Sequence, residues 1–404
     1  MKTLKILISG ASIAGPATAI LLTRQGHDVT VVERAPSLRP GGQTVDLRGA
    51  GRTVVERLGL ADETDARLLH QRGIATVGAG GRRYSSLPVE AFDGNGIVST
   101  HEILRGDLAE ILVDATPSTV KYLWGDTITA LDEDSRGVTV TFATAAPRRF
   151  DLVIGADGLS SAVRRTAFGA DSEFLEPIGL RFAWFTAAID DDLDGWYLLH
   201  HATGGRVVSA RPSRTDGTVK ASLAVRGSDP VPRTDRASQW SLMEEAFADV
   251  GWVAPQLLDQ MRDADDWAYA DLARVRMDRF TTGRVALVGD AGYCPTPLTG
   301  LGTTLALVGA YVLAGELGRS DGGDVASALA SYERIMRPFA AGAQQLPPGG
   351  VGGYAPNGRA MIAASRFTYW AMDRWPLRNL LAPEFVKADG IDLPDYRRDA
   401  RTIS

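Results

Sequence analysis

The sequence predicts an α/β chain: a mostly parallel sheet grown from β-α-β units, a second sheet of antiparallel strands, and a C-terminal helix. Three observations carry this. The chain opens on an apolar run, Leu4–Ser9, then a small-residue turn, a helical pattern and a β-branched run, Asp28–Glu33. That order is a β-α-β unit, which implies parallel strands and a right-handed crossover. Two later apolar runs, Phe150–Ile154 and the one inside Arg284–Asp290, have the same buried-strand character and feed glycine-containing loops. Between them, over about residues 171–271, the texture changes: Phe182, Trp184, Phe185, Trp196 and Tyr197 cluster among strand-like runs such as Arg206–Ala210 and Val219–Val225.

At 404 residues, and roughly 150 residues per domain, two or three domains are expected. Hydrophobic residues make up 45% and charged residues 23%, which supports a sizeable core and argues against disorder. A net charge of −6, from 43 Lys and Arg against 49 Asp and Glu, argues against nucleic acid as a partner. The single cysteine, Cys294, excludes a disulfide framework and a cysteine-based metal site, and no metal is expected. The first apolar run reads as a strand and not as a signal peptide. Leu301–Leu317 is the longest apolar run, but it is short for a membrane span and Glu316 stands near its end. A cytoplasmic protein with no membrane partner is expected, as a monomer or homodimer.

In chain order, the turn Gly10–Gly15 leads into a helix from about Ala14 to Gln25, which Gly26-His27-Asp28 ends. The Pro- and Gly-rich stretch Pro36–Gly51 reads as a loop, Arg52–Leu58 and Asp62–Leu69 as helices, and Ile74–Val77 and Arg82–Leu87 as antiparallel strands. Arg105–Val113 is an amphipathic helix, and Ile128–Leu131 and Val138–Phe142 form a meander leading to Phe150–Ile154. After Arg284–Asp290 come the Leu301–Leu317 helix and a helix over Val325–Gln345 that Pro338 should bend or break. Pro347–Gly358 has linker composition, and Arg359–Asp373 is helical again. No internal repeat is found.

Three loops carry chemistry. Gly10-Ala11-Ser12-Ile13-Ala14-Gly15 sits between strand and helix, where a dinucleotide fingerprint belongs. Gly10 permits the tight turn, Ser12 is small enough for backbone approach to a pyrophosphate, and Gly15 lets helix and strand pack. Glu33, beside Arg34, ends the second strand, where a carboxylate accepts from ribose hydroxyls. The alternative is a plain tight turn. The second loop, Asp157-Gly158, follows a buried strand at the sheet's carboxyl edge, where open α/β sheets bind ligands; a simple Asp-Gly turn would read the same way. The third, Gly289-Asp290 through Pro295 to Gly300-Leu301-Gly302, opens into a long helix whose amides could meet an anionic ring edge. Its alternative is a capped strand-helix loop.

Together these motifs resemble the class A flavoprotein monooxygenases, the para-hydroxybenzoate hydroxylase family, from the start of the chain to about residue 340. The matching segments are GASIAG with Glu33, DLVIGADG with Arg164, GRVALVGDAGYCPTPLTGLG, and Glu102–Leu108, where the family has an arginine opening a helix. Gly41–Leu47 is most like the tetracycline-inactivating and polyketide-hydroxylating branch. Where the family often has GDAAH, this chain has Gly292-Tyr293 at the last two positions.

The resemblance implies a Rossmann-like FAD-binding domain made of residues 1–70, 101–170 and 272–345. It also implies a substrate domain of 71–100 and 171–271, with 346–404 as a C-terminal linker and helix. It implies one FAD, with Gly10, Ser12, Ile13, Ala14, Gly15, Glu33 and Arg34 at its pyrophosphate and adenosine ribose. Arg105 would lie along the ribityl-pyrophosphate, Asp157 near FAD and the nicotinamide donor, Gly289 and Asp290 at the ribityl chain, and Pro295, Gly300, Leu301 and Gly302 facing the isoalloxazine. NADPH or NADH would dock transiently as reductant. With O2, a flavin C4a-hydroperoxide would hydroxylate an aromatic, phenolic or polyketide-type small molecule. Alternatives on the same fold are a reductase, a halogenase or a non-catalytic flavin-bound partner protein. No side chain stands out as a catalytic acid or base. Phe182, Trp184, Trp196, His200 and Pro297 are candidate substrate contacts, with His201 as another; Phe182 and Trp184 share a strand face and could equally be core. Arg211 and Arg214 read as a solvated loop, and Cys294 as a packed residue.

Overall fold

A computed structural model of the chain describes residues 2–38, 42–215, 217–320, 323–372 and 386–396, with isolated positions 374, 376 and 379. The parallel sheet forms as expected. Its order is Thr281–Thr282, Val285–Leu287, Leu152–Gly155, Lys5–Ser9, Asp28–Glu33 and Lys121–Trp124, with only the Thr281–Thr282 edge pair antiparallel. Its central strands are buried on both faces, with Ile6, Leu7, Ile8, Val153 and Ile154 fully inaccessible, which is why they read as continuous apolar runs. The helices Ala14–Arg24 and Gly302–Arg319 pack on each other over one face. The edge strand Lys121–Trp124 is short and carries no clear period, so it leaves no signal in the sequence.

The second sheet runs Ala268–Val275, Leu175–Ala187, Val219–Arg226, Arg206–Pro212, Trp196–Ala202, Gly73–Val77, Arg83–Pro88. Its neighbours are antiparallel except Trp196–Ala202 with Gly73–Val77, which are parallel. Side chains alternate between two faces. Ala183, Phe185, Leu198, Val208 and Leu223 pack against the helices Arg236–Phe247 and Ala254–Gln260. Phe182, Tyr197, Leu199, Val207 and Ala224 pack on the other side, with Val351, Tyr354, Tyr369 and Met372 from late in the chain.

Several boundaries differ from the sequence reading. Phe150–Ile154 is split: Arg148–Phe150 closes a separate three-stranded sheet with Gly137–Phe142 and Ile128–Asp134, while Leu152–Gly155 enters the parallel sheet. Thr44–Asp46 pairs with Glu102–Leu104 as a short ribbon inside what composition marks as loop. Pro338 does not break its helix, which runs Val325–Ala343. A proline forfeits one backbone hydrogen bond, and the burial of Tyr332, Met336, Phe339 and Ala340 along the same helix outweighs that loss. The linker-like segment contains a short helix, Gly350–Tyr354, and the following helix spans Arg359–Ala371.

Candidate functional site

The three loops meet at the carboxyl edge of the parallel sheet. Gly10 has φ +106°, and a Cβ there would lie 2.4 Å from the Ala156 carbonyl oxygen, so the first loop is pressed onto the second. A Cβ on Gly15 would lie 1.9 Å from the Gly10 carbonyl oxygen, which leaves no room for any other residue. Glu33 is fixed by two amides, accepting from Ala11 N at 2.9 Å and Ala35 N at 2.8 Å. Asp157 accepts from Ser9 Oγ at 3.1 Å and from Ala162 N at 2.8 Å, which ties the second loop to the first strand. Burial pushes its carboxyl above the ordinary range, against these hydrogen bonds.

Arg164 joins the second loop to the third. Fully buried, it donates to Leu159 O at 2.6 Å, Ala291 O at 2.8 Å and Asp171 Oδ1 at 2.6 Å. Asp290 opens onto the cavity beside the buried Cys294, and desolvation raises both its carboxyl and the Cys294 thiol. A thiol held protonated is a packed group and not a nucleophile. Thr296 is a non-glycine residue with φ +82°, backbone strain concentrated in the third loop.

These elements enclose one cavity of about 1030 Å³, at the upper end for small-molecule and cofactor sites. Gly10, Ser12, Ile13, Ala14, Glu33, Arg34, Arg105, Asp157, Asp290, Pro295, Pro297, Gly300, Leu301 and Gly302 all line it. Gly15 and Gly289 stand behind the lining, and their part is backbone packing. Arg105 reaches across to donate to Ser12 Oγ at 3.1 Å. Two helices, Ala14–Arg24 and Gly302–Arg319, begin at the cavity, and neither has a side chain capping its first amides. Free amides at a helix N-terminus suit phosphate and other anionic oxygens. With a fixed carboxylate at Glu33 and glycine backbone at close approach, this donor set fits FAD.

Phe182 and Trp184 line the same cavity and stack at 4.9 Å between ring centroids. Trp196 and His200 do not line it, contrary to their assignment as substrate contacts. On their strand Tyr197 and Leu199 face the cavity, so the even-numbered positions point the other way. Trp196 belongs to the helix-side core with Leu198, Met243 and Phe247, its ring under Arg72 and Arg83 at 5.5 and 5.8 Å, and His200 Nδ1 pairs with Val77 O at 3.1 Å. His201 is buried near Tyr369, without lining the cavity.

Arg211 also departs from the solvated-loop reading. It lines the cavity, its guanidinium lies 3.8 Å over the Tyr197 ring, and it donates to Glu102 Oε2 at 3.0 Å and to Thr44 Oγ1. Glu102, 2% exposed, also accepts from Gln71, and Asp46 and Arg48 pair nearby at 2.7 Å. Burial pushes the Glu102 carboxyl up to about 7, against the pull of Arg211. Arg214 does pair at the surface, with Asp107 at 2.7 Å.

Tyr197, part of the aromatic cluster in the sequence but not among the candidate contacts, lines the cavity, as do a hydroxyl pair of Ser209 and Ser222 at 2.6 Å and the unassigned Lys220 and Asp266. A signal was available: in Val219–Val225, Lys220 and Ser222 alternate with Val219, Ala221 and Leu223, the pattern of a strand with one wet face. The linker-like segment is likewise part of the wall, supplying Pro347, Gly349 and Tyr354, followed by Met361, Thr368 and Tyr369 of the next helix.

Residues 3–346 match the family described as FAD binding domain. An uncharacterized protein of Mycobacterium tuberculosis is 41% identical over 360 residues, covering 88% of this chain and 95% of its own length. An FAD-dependent monooxygenase of Sarocladium schorii is 36% identical, covering 87% and 88%. Among solved structures, the tetracycline destructase Tet(55) is 32% identical with a TM-score of 0.80, covering 98% of this chain and 99% of that one. Tet(51) is 29% identical with a TM-score of 0.82, covering 98% and 100%.

Proposed function

This chain belongs to the FAD binding domain family and is a flavin-dependent monooxygenase; we propose that it uses NAD(P)H and O2 to hydroxylate a planar aromatic, phenolic or polyketide-type small molecule. The observation that carries this is the single cavity joining two uncapped helix N-termini and a fixed carboxylate to an aromatic floor. The similarity to tetracycline destructases, which bear the name of a polycyclic substrate class, supports a planar ring system.

FAD, when bound, supplies the redox chemistry with oxygen. The chain's own residues bind and orient. Glu33 would hold the adenosine ribose, and the first amides of Ala14–Arg24, with Ser12 and Arg105, would serve the pyrophosphate. Asp290 would serve the ribityl hydroxyls, and the first amides of Gly302–Arg319 would favour negative charge on the bound flavin. Phe182 and Trp184 orient a flat substrate. Tyr354, Tyr369 and Met372 add wall to the cavity and reduce its exposure to water, which would favour transfer to substrate over loss to solvent.

The test is to purify the protein with its flavin and follow NAD(P)H oxidation with and without planar phenols under isotope-labelled O2. Substrate-stimulated oxidation with one labelled oxygen in the product is expected. Absence of flavin, or product formed equally without oxygen, overturns the reading, and the second outcome points to a reductase.

A further inference from the structure

Strand register sets the chemistry of the cavity floor. Trp184 lies opposite Ser222, and Ser222 opposite Ser209. One step along, Thr186 lies opposite Lys220, and Lys220 opposite Arg211. The floor thus passes from an aromatic and hydroxyl row to a cationic one.

In the second row each cation has its own carboxylate. Arg211 has Glu102, and Lys220 Nζ donates to Asp266 Oδ2 at 2.8 Å and to Thr186 Oγ1 at 2.7 Å. Asp266 is itself fixed by Thr186 N at 2.7 Å. Burial pushes the Asp266 carboxyl up, but Lys220 and Thr186 more than offset this and hold it below the ordinary range. An ammonium has three N–H groups. Two are engaged here, so one is left without a protein acceptor among the described residues, on a side chain only 13% exposed that lines the cavity. A half-buried ion pair in an aromatic-lined cavity contributes little net stability, because desolvation cancels most of the attraction. As a preoriented donor it is well placed, since its geometry is set before any ligand arrives.

We propose that Lys220, held by Asp266 and Thr186, is a specificity-determining residue that reads an ionised phenol, enol or carboxylate oxygen on the edge of a planar substrate whose rings lie on Phe182 and Trp184. The cavity selects an acidic aromatic over a neutral one of the same shape. The inference rests on the monooxygenase reading of the cavity and adds the charge of its substrate.

The test uses the flavin-loaded protein and two probes, alizarin, whose ionisation changes its visible spectrum, and unsubstituted anthraquinone. Kd for each, the pH at which bound alizarin ionises and flavin content are read for wild type, Lys220→Met, Lys220→Arg and Thr186→Val. Loss of one charge-assisted hydrogen bond predicts that Lys220→Met weakens ionised alizarin ~10-fold or more. Anthraquinone binding should stay within about twofold, and bound alizarin should ionise at a pH higher by about one unit. Lys220→Arg keeps most of the discrimination. Thr186→Val, which leaves the charge but loosens it, loses about threefold and serves if Lys220→Met does not fold.

Equal weakening of both probes, no change in either, no binding of either to wild type, or flavin release in place of probe release overturns the proposal. Failure of the monooxygenase reading shows elsewhere, as wild-type protein without flavin or without phenol-stimulated NAD(P)H oxidation. The ratio of probe affinities is read on flavin-loaded protein without turnover, so it can fail while NAD(P)H oxidation persists, and the reverse.

Discussion

The two sides of the cavity are made of different material. The side formed by the parallel sheet is mostly backbone: helix amides, glycine turns and carboxylates locked by main-chain N–H groups, as at Glu33. The floor formed by the antiparallel sheet is side chains at every alternate position: Phe182, Trp184, Tyr197, Ser209, Arg211, Lys220 and Ser222. A backbone surface holds one ligand shape and tolerates little change, because substitution strikes the main chain. A side-chain surface can be rewritten one residue at a time without disturbing the sheet beneath it. A shared cofactor with variable substrates is the expected consequence.

The sharpest way to break that contrast is Gly15→Ala. The added methyl meets the Gly10 carbonyl oxygen, a backbone atom that cannot yield without moving the whole turn. We expect loss of flavin and a drop of roughly 4 kcal/mol or more in unfolding free energy, read by visible absorbance and urea denaturation. Retained flavin with unchanged stability would show that the turn is less rigid than its packing implies.

Next in size are two buried titrating groups with opposite signs. Glu102, joining the ribbon to the floor, has its carboxyl raised from 4.5 to about 7 by burial. Its contribution therefore falls as pH rises from the unfolded value through the folded one. His201 is lowered from 6.5 to about 4, first by burial and then by His200 and Arg366. Tyr369 also faces its ring. The stability associated with its neutral form is present above 6.5 and is lost as pH falls towards 4. Each slope is worth at most about 3 kcal/mol. In urea unfolding from pH 4 to 7.5, the stability advantage of wild type over Glu102→Gln should shrink with rising pH. Its advantage over His201→Phe should shrink with falling pH. Parallel curves would remove these groups from the account.

The smallest effect separates the two faces of the floor. Trp184→Phe should weaken binding of planar aromatics several-fold with stability nearly unchanged. Trp196→Phe, on the helix-facing side, should cost about 1–2 kcal/mol of stability and leave binding within about twofold. The reverse pattern would mean that the strand faces are exchanged.

These contrasts also explain how far the sequence could be read. The convergence of Gly10, Gly15, Glu33, Asp157 and Asp290 at one sheet edge was legible because strand, turn and helix start follow one another at fixed spacings. The floor was legible only as a region. Choosing among its aromatics required the strand phase, and a shift of one residue moves Trp196 and His200 to the opposite face. Arg211 was misread because its partner Glu102 is far away in sequence and reaches it only through the Thr44–Asp46 and Glu102–Leu104 ribbon, which is too short to leave a periodic signal. Composition misled at Pro347–Gly358, since glycine and proline mark a chain that turns sharply whether it crosses solvent or lies against a wall.

That wall has a consequence for biogenesis. Its residues from Tyr354 to Met372 are made after both sheets, yet they pack directly on Phe182, Tyr197 and Leu199. Until the ribosome has released the chain as far as Met372, the chamber stands open to water on one side. A nascent molecule therefore has its floor before this part of its wall, and completing that wall is among the later events of its maturation.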